Sequence, residues 1–296
     1  PLGHERVELV RGDVTDPENL MKTKKASTHV YHVAGHARNW AADPRVFYDV
    51  NVQGTLNVLH AAKRAGVERV LCTSSQLTLG PARPGEVTTE DTSRISDRCF
   101  TDYEAAKLAA EKLVLRAVEE EGLPVVIVNP ARVYGPGHLS EGNSGTLLVD
   151  QYDRGVVPIL PNLGRNVANW VLVDDVVQGH ILAMEKGRIG QRYILGGENV
   201  SLRQFFRTID RISGKRHWQV PVFRPGAMVF AYLLKKRAQW FRVHPRITPG
   251  WVRTFFTEWP CSSEKAEREL GYKPTPLAEG LRITYQWLQQ VRKEQS

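Results

Sequence analysis

The chain has 296 residues, 42% of them apolar and 24% charged, which suits a globular protein with a sizeable core and argues against a disordered chain. Its net charge is +8, but the basic residues read as spread along the chain, with no arginine-rich arm and no nucleic-acid motif. Three cysteines (Cys72, Cys99, Cys261) and nine histidines, none in ligand spacing, point away from a disulfide framework and a metal site and towards a reducing, cytoplasmic setting.

In chain order, residues 7–10 read as a first short strand. Asp16 caps a helix with Pro17 at its first position. Residues 29–33 read as a strand, 46–65 as a helix ending before Gly66, and 67–72 as a buried strand that runs into Thr73-Ser74-Ser75. A helix then begins near Asp102, and 124–128 is a further strand. This alternation predicts an α/β fold, a Rossmann-like doubly wound parallel sheet with right-handed crossovers. Beyond Pro130 come loops rich in Gly, Pro and Asn, then helices: one from Asp174-Asp175, one opened by a Ser201/Gln204 capping box, one over 262–270 ending at Gly271, and one over 277–291. We therefore expect a dinucleotide-binding domain over 1–130, a smaller and mostly helical substrate lobe over 131–296, and a return to the first domain at 166–186.

The chemistry concentrates in Asp102-Tyr-Glu-Ala-Ala-Lys107. The stretch has high helix propensity, so Tyr103 and Lys107 at i and i+4 share a face. A free phenol titrates near pH ~10, and an adjacent cation is expected to lower that value and make the tyrosine a proton carrier. The spacing alone is not specific, since Tyr232 and Lys236 repeat it in an apolar stretch without other polar chemistry. Context favours the first copy. In open α/β sheets ligands sit beyond the carboxyl ends of strands, where the hydroxyls of Thr73, Ser74 and Ser75 lie.

With these motifs in view, the sequence resembles the extended short-chain dehydrogenase/reductases, the NAD-dependent epimerase/dehydratase group. Gly12-Asp13-Val14-Thr15-Asp16, His32-Val-Ala34-Gly35, Asn51-Val-Gln-Gly54-Thr55-Leu-Asn57, Asn129-Pro130-Ala-Arg-Val133-Tyr-Gly135-Pro-Gly137 and Val171-Leu-Val-Asp174-Asp175-Val follow its ordered motifs, and Tyr193-Ile-Leu-Gly196-Gly197-Glu198-Asn199 follows them. The nearest branch is dihydroflavonol-reductase-like, which includes hopanoid-associated sugar epimerases. The resemblance implies NAD or NADP as cofactor and Ser75, Tyr103 and Lys107 as the catalytic triad. It also implies cofactor contacts from Asp13 and Val14 near the adenine, from Ala34, Gly35, Asn51 and Thr73, and from Pro130 and Val133 near the nicotinamide. Arg132 and Tyr134 become candidate substrate contacts. The implied substrate is a small molecule, a sugar nucleotide or a ketone or aldehyde, and the Tyr103 helix is a common dimer face in the family.

Two departures matter. The family's opening G-x-x-G-x-x-G is not found, and residues 7–10 match its third strand, so we expect about fifty residues of the family pattern to be missing upstream. The family's sugar dehydratases place an Asp-Glu pair after the triad hydroxyl, whereas Gln76 and Leu77 stand here, so dehydration is not expected. The alternative to an enzyme is a non-catalytic NAD(P)-binding sensor or scaffold. One segment falls outside this reading: the apolar run 227–234 followed by Lys235-Lys236-Arg237. It is too short to span a bilayer, and lobe packing is the expected role rather than contact with a membrane surface.

Overall fold

A computed structural model describes residues 4–23, 27–156, 159–241, 243–245 and 247–294, without the side chains of 21–23. Its main sheet has four parallel strands. These are β1 (His29–His32), β2 (Arg69–Thr73), β3 (Val125–Pro130) and β7 (Arg192–Leu195), in that spatial order. Before β1 lies α1 (Pro17–Thr23), capped as expected: Asp16 Oδ1 accepts from the backbone N–H of Glu18 at 3.0 Å and of Asn19 at 3.2 Å. Between β1 and β2 run α2 (Arg45–Tyr48), a π-helical turn (Asp49–Gln53) and α3 (Gly54–Ala65). Gly66, at φ 63°, closes α3 in the left-handed conformation that glycine adopts without a Cβ penalty. The long helix α4 (Asp102–Glu121) connects β2 to β3.

The near-continuous apolar runs of β2 and β3 are covered on both faces, and the strand period of two sorts their side chains. Val70, Cys72, Val125 and Ile127 pack with Leu59 of α3 and Val114 and Ala117 of α4. Leu71, Val126 and Val128 face the other way, onto Val176, Ala183 and Met184 of α6 (Val173–Lys186) and Ala266 and Leu270 of α10 (Glu264–Leu270).

After β3 come β4 (Arg132–Tyr134), α5 (Ser144–Asp153), β5 (Ile159–Pro161) and β6 (Val167–Leu172). β6 is followed by α6 and β7, then by β8 (Glu198–Ser201), α7 (Leu202–Ser213), β9 (Val220–Val222), α8 (Arg224–Phe241) and α9 (Pro249–Phe255); α10 and α11 (Leu277–Glu294) end the series. β4, β6 and β8 form a second, three-stranded sheet, and β5 pairs with β9. Around the second sheet Tyr134, Tyr152, Trp170, Phe205, Phe206, Trp259, Leu281 and Leu288 form a separate core. The Ser201/Gln204 capping box that opens α7 is present.

Three sequence expectations change. Residues 7–10 form no strand; Val7, Leu9 and Val10 are exposed, and the stretch has no ladder partner among the described residues to pair its N–H and C=O groups. The stretch 46–65 is not one helix, because the π turn interrupts it. The main sheet also draws on more than 166–186, since β7 pairs with β3 and α10 packs against it.

In the second core the Phe205 ring, fully buried, stacks on Trp170 with centroids 4.0 Å apart and meets Tyr134 edge-on. Phe205→Ala is expected to cost about 3–5 kcal/mol. Chemical denaturation of the two proteins side by side measures this, and a loss below 1 kcal/mol, roughly that of a surface change, would place Phe205 outside the core.

Candidate active site

α4 is positioned by its cap. Thr101 Oγ1 accepts from Glu104 N–H at 3.1 Å, and the Glu104 carboxylate reaches back to the Phe100 N–H at 2.8 Å. Arg94 joins this end of the helix to the loop after β2: one nitrogen donates to the Leu77 and Thr78 carbonyls at 2.8 Å, the other to Glu104 at 2.9 Å. Tyr103 and Lys107 project from the first turns, and the Ser75 hydroxyl hydrogen-bonds the Tyr103 phenol. Lys107 Nζ donates to the carbonyl of Thr73 at 2.8 Å. Ser75, Thr73, Tyr103 and Lys107 are thus brought together at the carboxyl end of β2.

The electrostatics differ from the sequence expectation. Burial pushes the Tyr103 phenol up to about 12, and the hydrogen bond from Ser75 opposes that rise. Burial also moves Lys107 below its ordinary value. Desolvation therefore outweighs the cation in this arrangement, and the phenol holds its proton through neutral pH.

Two further elements reach the cluster. Asn51, buried in the π turn, accepts from the His36 N–H through Oδ1 at 2.8 Å and so pins the loop after β1. A Cβ placed on Gly35 would stand 3.0 Å from Asn51 Oδ1 and 3.4 Å from Lys107 Nζ. The glycine lets the loop after β1 approach the Asn51 amide and Lys107, whose Nζ also holds the Thr73 carbonyl. The π turn has its own support: Thr55 Oγ1 donates to the Asn51 carbonyl at 2.7 Å, which leaves its lone pair to accept from His32 Nε2 at 2.9 Å. Ala34 is exposed on this same loop.

The remaining expected contacts lie elsewhere. Asp13 is exposed, and its carboxylate accepts from the Thr15 N–H and hydroxyl at 2.8 Å, bonds that hold its pKa low. Val14 docks on α3, where its carbonyl accepts from Asn57 at 2.9 Å. Pro130 is buried at the end of β3, and Val133 is half-buried in β4 against β6. Tyr134 is no substrate contact here: its ring is fully buried against Gly280 in the second core. Arg132 stacks between rings, its guanidinium 4.6 Å from the Phe255 centroid and 5.5 Å from that of Trp170, and burial lowers its pKa to about 10. Tyr232, the tyrosine of the second Tyr-x-x-x-Lys, is exposed on α8 and accepts from Arg253 at 3.3 Å.

Sequence reasoning missed the group that fixes the Ser75 loop. Glu111, one turn beyond Lys107, is buried and accepts from Ser74 Oγ, from Thr78 Oγ1 at 2.8 Å, from Asn129 Nδ2 at 2.8 Å and from Arg192 at 3.2 Å. Asn129 Nδ2 also donates to the Ser75 carbonyl at 3.1 Å. The signal available was a lone Glu at i+4 from Lys107, a common feature of exposed helix faces. Beside this network, Gln76 is buried and donates to the Trp259 carbonyl at 2.7 Å, and Leu77 packs on the second core.

Residues 2–196 match the profile of the NAD dependent epimerase/dehydratase family. The chain belongs to that family. It is 30% identical over 289 residues to a putative dihydroflavonol 4-reductase of Synechocystis, spanning 96% of this chain and 82% of the relative. To sterol demethylase protein B of Methylococcus capsulatus it is 29% identical over 289 residues, spanning 96% and 85%. Among solved structures, that of gox2253 superposes with a TM-score of 0.82 at 33% identity, over 98% of this chain and 86% of that one. DesIV of Streptomyces venezuelae, a dTDP-glucose 4,6-dehydratase with NAD and TYD bound, superposes with a TM-score of 0.78 at 25% identity, over 98% and 82%. The chain is thus an extended short-chain dehydrogenase/reductase, an oxidoreductase/epimerase-type enzyme with a Rossmann-like fold.

Removing the Glu111 carboxylate leaves a guanidinium, two hydroxyls and an amide without their shared acceptor. Glu111→Ala is expected to destabilise the protein by about 3–5 kcal/mol. Urea titration reads the change, and a loss under 1 kcal/mol, the scale of an exposed ion pair, would mean that the network is not buried in solution.

Proposed function

We propose that this chain catalyses hydride transfer between a nicotinamide dinucleotide, NAD or NADP, and the carbonyl or alcohol carbon of a small molecule. The observation that carries the reading is the meeting of Tyr103, Ser75 and Lys107 at the end of β2, with Gly35 of the loop after β1 close to Lys107. Bound nicotinamide would supply or accept the hydride. Tyr103 is the proton carrier: with its pKa near 12 it is a neutral phenol at pH 7, able to donate to a substrate oxygen as negative charge develops there. Ser75 donates a second hydrogen bond to that oxygen. Lys107 holds the ribose side of the cofactor together with Asn51, Thr73, Ala34 and Gly35. Asp13 and Val14 border the adenine end, and Pro130 and Val133 the nicotinamide end. In this reading 1–130 with the returning strands and helices binds the cofactor, the remainder binds the substrate, and α4 offers a homodimer face.

Net reduction or oxidation, or epimerisation of a sugar nucleotide through the same step, is favoured over dehydration. Water loss needs an acid and a base next to the triad hydroxyl, and the two positions there are used otherwise. Gln76 is engaged by a backbone carbonyl and Leu77 is apolar and packed. Relatives with reductase and dehydrogenase names support oxidoreduction, while the likeness to a dehydratase supports only a shared scaffold for binding.

Tyr103→Phe keeps the ring and deletes the transferable proton, so kcat should fall by about 10²–10⁴-fold with cofactor binding within a few-fold. Tyr232→Phe should leave turnover unchanged. Steady-state rates with a panel of ketones, aldehydes and sugar nucleotides test both; turnover surviving Tyr103→Phe but lost in Tyr232→Phe would reverse the choice of motif. Cofactor binding without turnover of any panel member by the wild type would favour the sensor reading.

Presented with dTDP- or UDP-hexoses and NAD, the enzyme should form no 4-keto-6-deoxy sugar. Alkaline absorbance of the product reads this directly, and its appearance at enzymatic rates would sink the argument from Gln76 and Leu77.

A further inference from the structure

From Arg211 to Thr257 the chain carries ten Lys and Arg and not one Asp or Glu, so this stretch is +10 where the whole protein is +8. The remaining residues sum to −2, and the basic character of the protein resides here. The distinctive feature is the absence of acids within the stretch; Lys215 finds its partner, Asp153, outside it.

The same stretch holds the largest group of exposed large apolar side chains among the described residues. α8 buries only Ala231 and Ala238, while Val229, Leu233 and Trp240 are 62%, 64% and 79% exposed. At about 100° per residue these three fall within roughly 40° of one another, a single stripe. Phe230 and Phe241 flank it, Phe223 precedes the helix, and Trp218 stands 85% exposed upstream. Arg224 lies at one end of α8 and Lys235, Lys236 and Arg237 towards the other; these four make no ion pair among the described residues. The lobe packing expected from the sequence accounts for one face of α8, where Ala231 and Ala238 are buried; the stripe lies on the other. Single exposed apolar residues are ordinary, but a contiguous stripe with tryptophans and a basic rim marks an interaction surface.

We propose that α8 and Trp218 dock this enzyme in the plane of an anionic lipid bilayer. The apolar stripe would enter the acyl boundary, the tryptophans would sit at headgroup level, and the basic rim would meet the negative surface. A second copy of the chain fits less well, because two such faces would bring like charges together across a low-dielectric contact. Nucleic acid matches the charge but leaves Val229 and Leu233 unmatched. Among the described residues no helix is long and apolar enough to cross a membrane, so α8 is placed along the surface and not through it.

The location connects this surface to the site. Tyr232 of α8 is bonded by Arg253 of α9. α9 in turn lies against the α4 cap, with Gly250 so close to the Phe100 carbonyl that a Cβ would stand 2.3 Å from it, and places Phe255 over Arg132. Docking through α8 would bring the substrate side of the cleft close to the headgroups, where a membrane-dissolved alcohol or ketone is reachable.

The test is flotation of the full chain with phosphatidylcholine vesicles, with and without one third phosphatidylglycerol. Binding to the anionic vesicles alone, lost in molar salt, is expected. Lys235→Glu/Lys236→Glu/Arg237→Glu should lower the partition coefficient by about 100-fold, at roughly tenfold or less per cation near the surface. Leu233→Ser/Trp240→Ser should abolish flotation while thermal melting stays unchanged, as befits exposed positions. Failure of the wild type to float, equal binding to neutral vesicles, or flotation unaffected by both variants would overturn the proposal. So would a dimer in light scattering that Leu233→Ser/Trp240→Ser dissolves, which would assign the face to a second copy.

Discussion

One buried carboxylate sets the geometry of the candidate site. Glu111 gathers a hydroxyl from the end of β2, a second from the turn that follows, the Asn129 amide from β3 and the Arg192 guanidinium from β7. The strands are also paired in the main sheet, but the turn after β2 and the start of α4 lie beyond that ladder. A charge without water holds its donors in place, because every donor withdrawn leaves desolvation uncompensated. Tyr103, Lys107 and Glu111 lie at intervals of four on one face of α4, so the anchor at Glu111 fixes the two turns that carry the candidate tyrosine and lysine. Asn129 then holds the Ser75 carbonyl directly. The phenol and the hydroxyl meet because both ends of their supports are tied to the same group.

Dehydration also decides the protonation of the site. The i, i+4 spacing of Tyr103 and Lys107 invites a Coulombic argument in which the ammonium draws the phenol towards ionisation. In the folded chain the ammonium is turned to the Thr73 carbonyl, and burial moves the two groups the other way, the phenol up and the ammonium down. A neutral phenol beside a serine hydroxyl is a proton donor, which matches a reaction that places negative charge on a substrate oxygen.

The sequence made local devices legible and left tertiary ones hidden. Asp16 with Pro17, Gly66, Ser201 with Gln204 and Gly271 each act on their own backbone within a few residues, and each boundary stands within a residue or two of where these signals put it. The alternation of strand and helix and the cluster at the end of β2 were legible for the same reason. The π turn at Asp49–Gln53 was not, because its support comes from His32, 23 residues before the Thr55 it bonds. Glu111 sits in an Ala-, Glu- and Lys-rich helix where the same letter is ordinarily solvated, and only contacts 18 to 81 residues away make it an interior group. Residues 7–10 have the letters of a strand, but a strand needs a neighbour, and letters do not supply one.

Charge gives the last example, because a total conceals its distribution. A value of +8 over 296 residues suggests a mild field spread along the chain. Counting bases alone sustains that view, since they occur throughout. Counting acids reverses it, because the stretch without any is also the one whose helix turns its apolar side chains outward. Charges that are paired elsewhere, such as Arg292 with Asp150 and Asp153, contribute little at a distance. The unpaired ones around α8 act within a Debye length of whatever surface approaches. An exposed helix that is apolar, basic and free of acids is costly for solubility, and the rationale proposed for it is a surface that is itself apolar beneath and negative above.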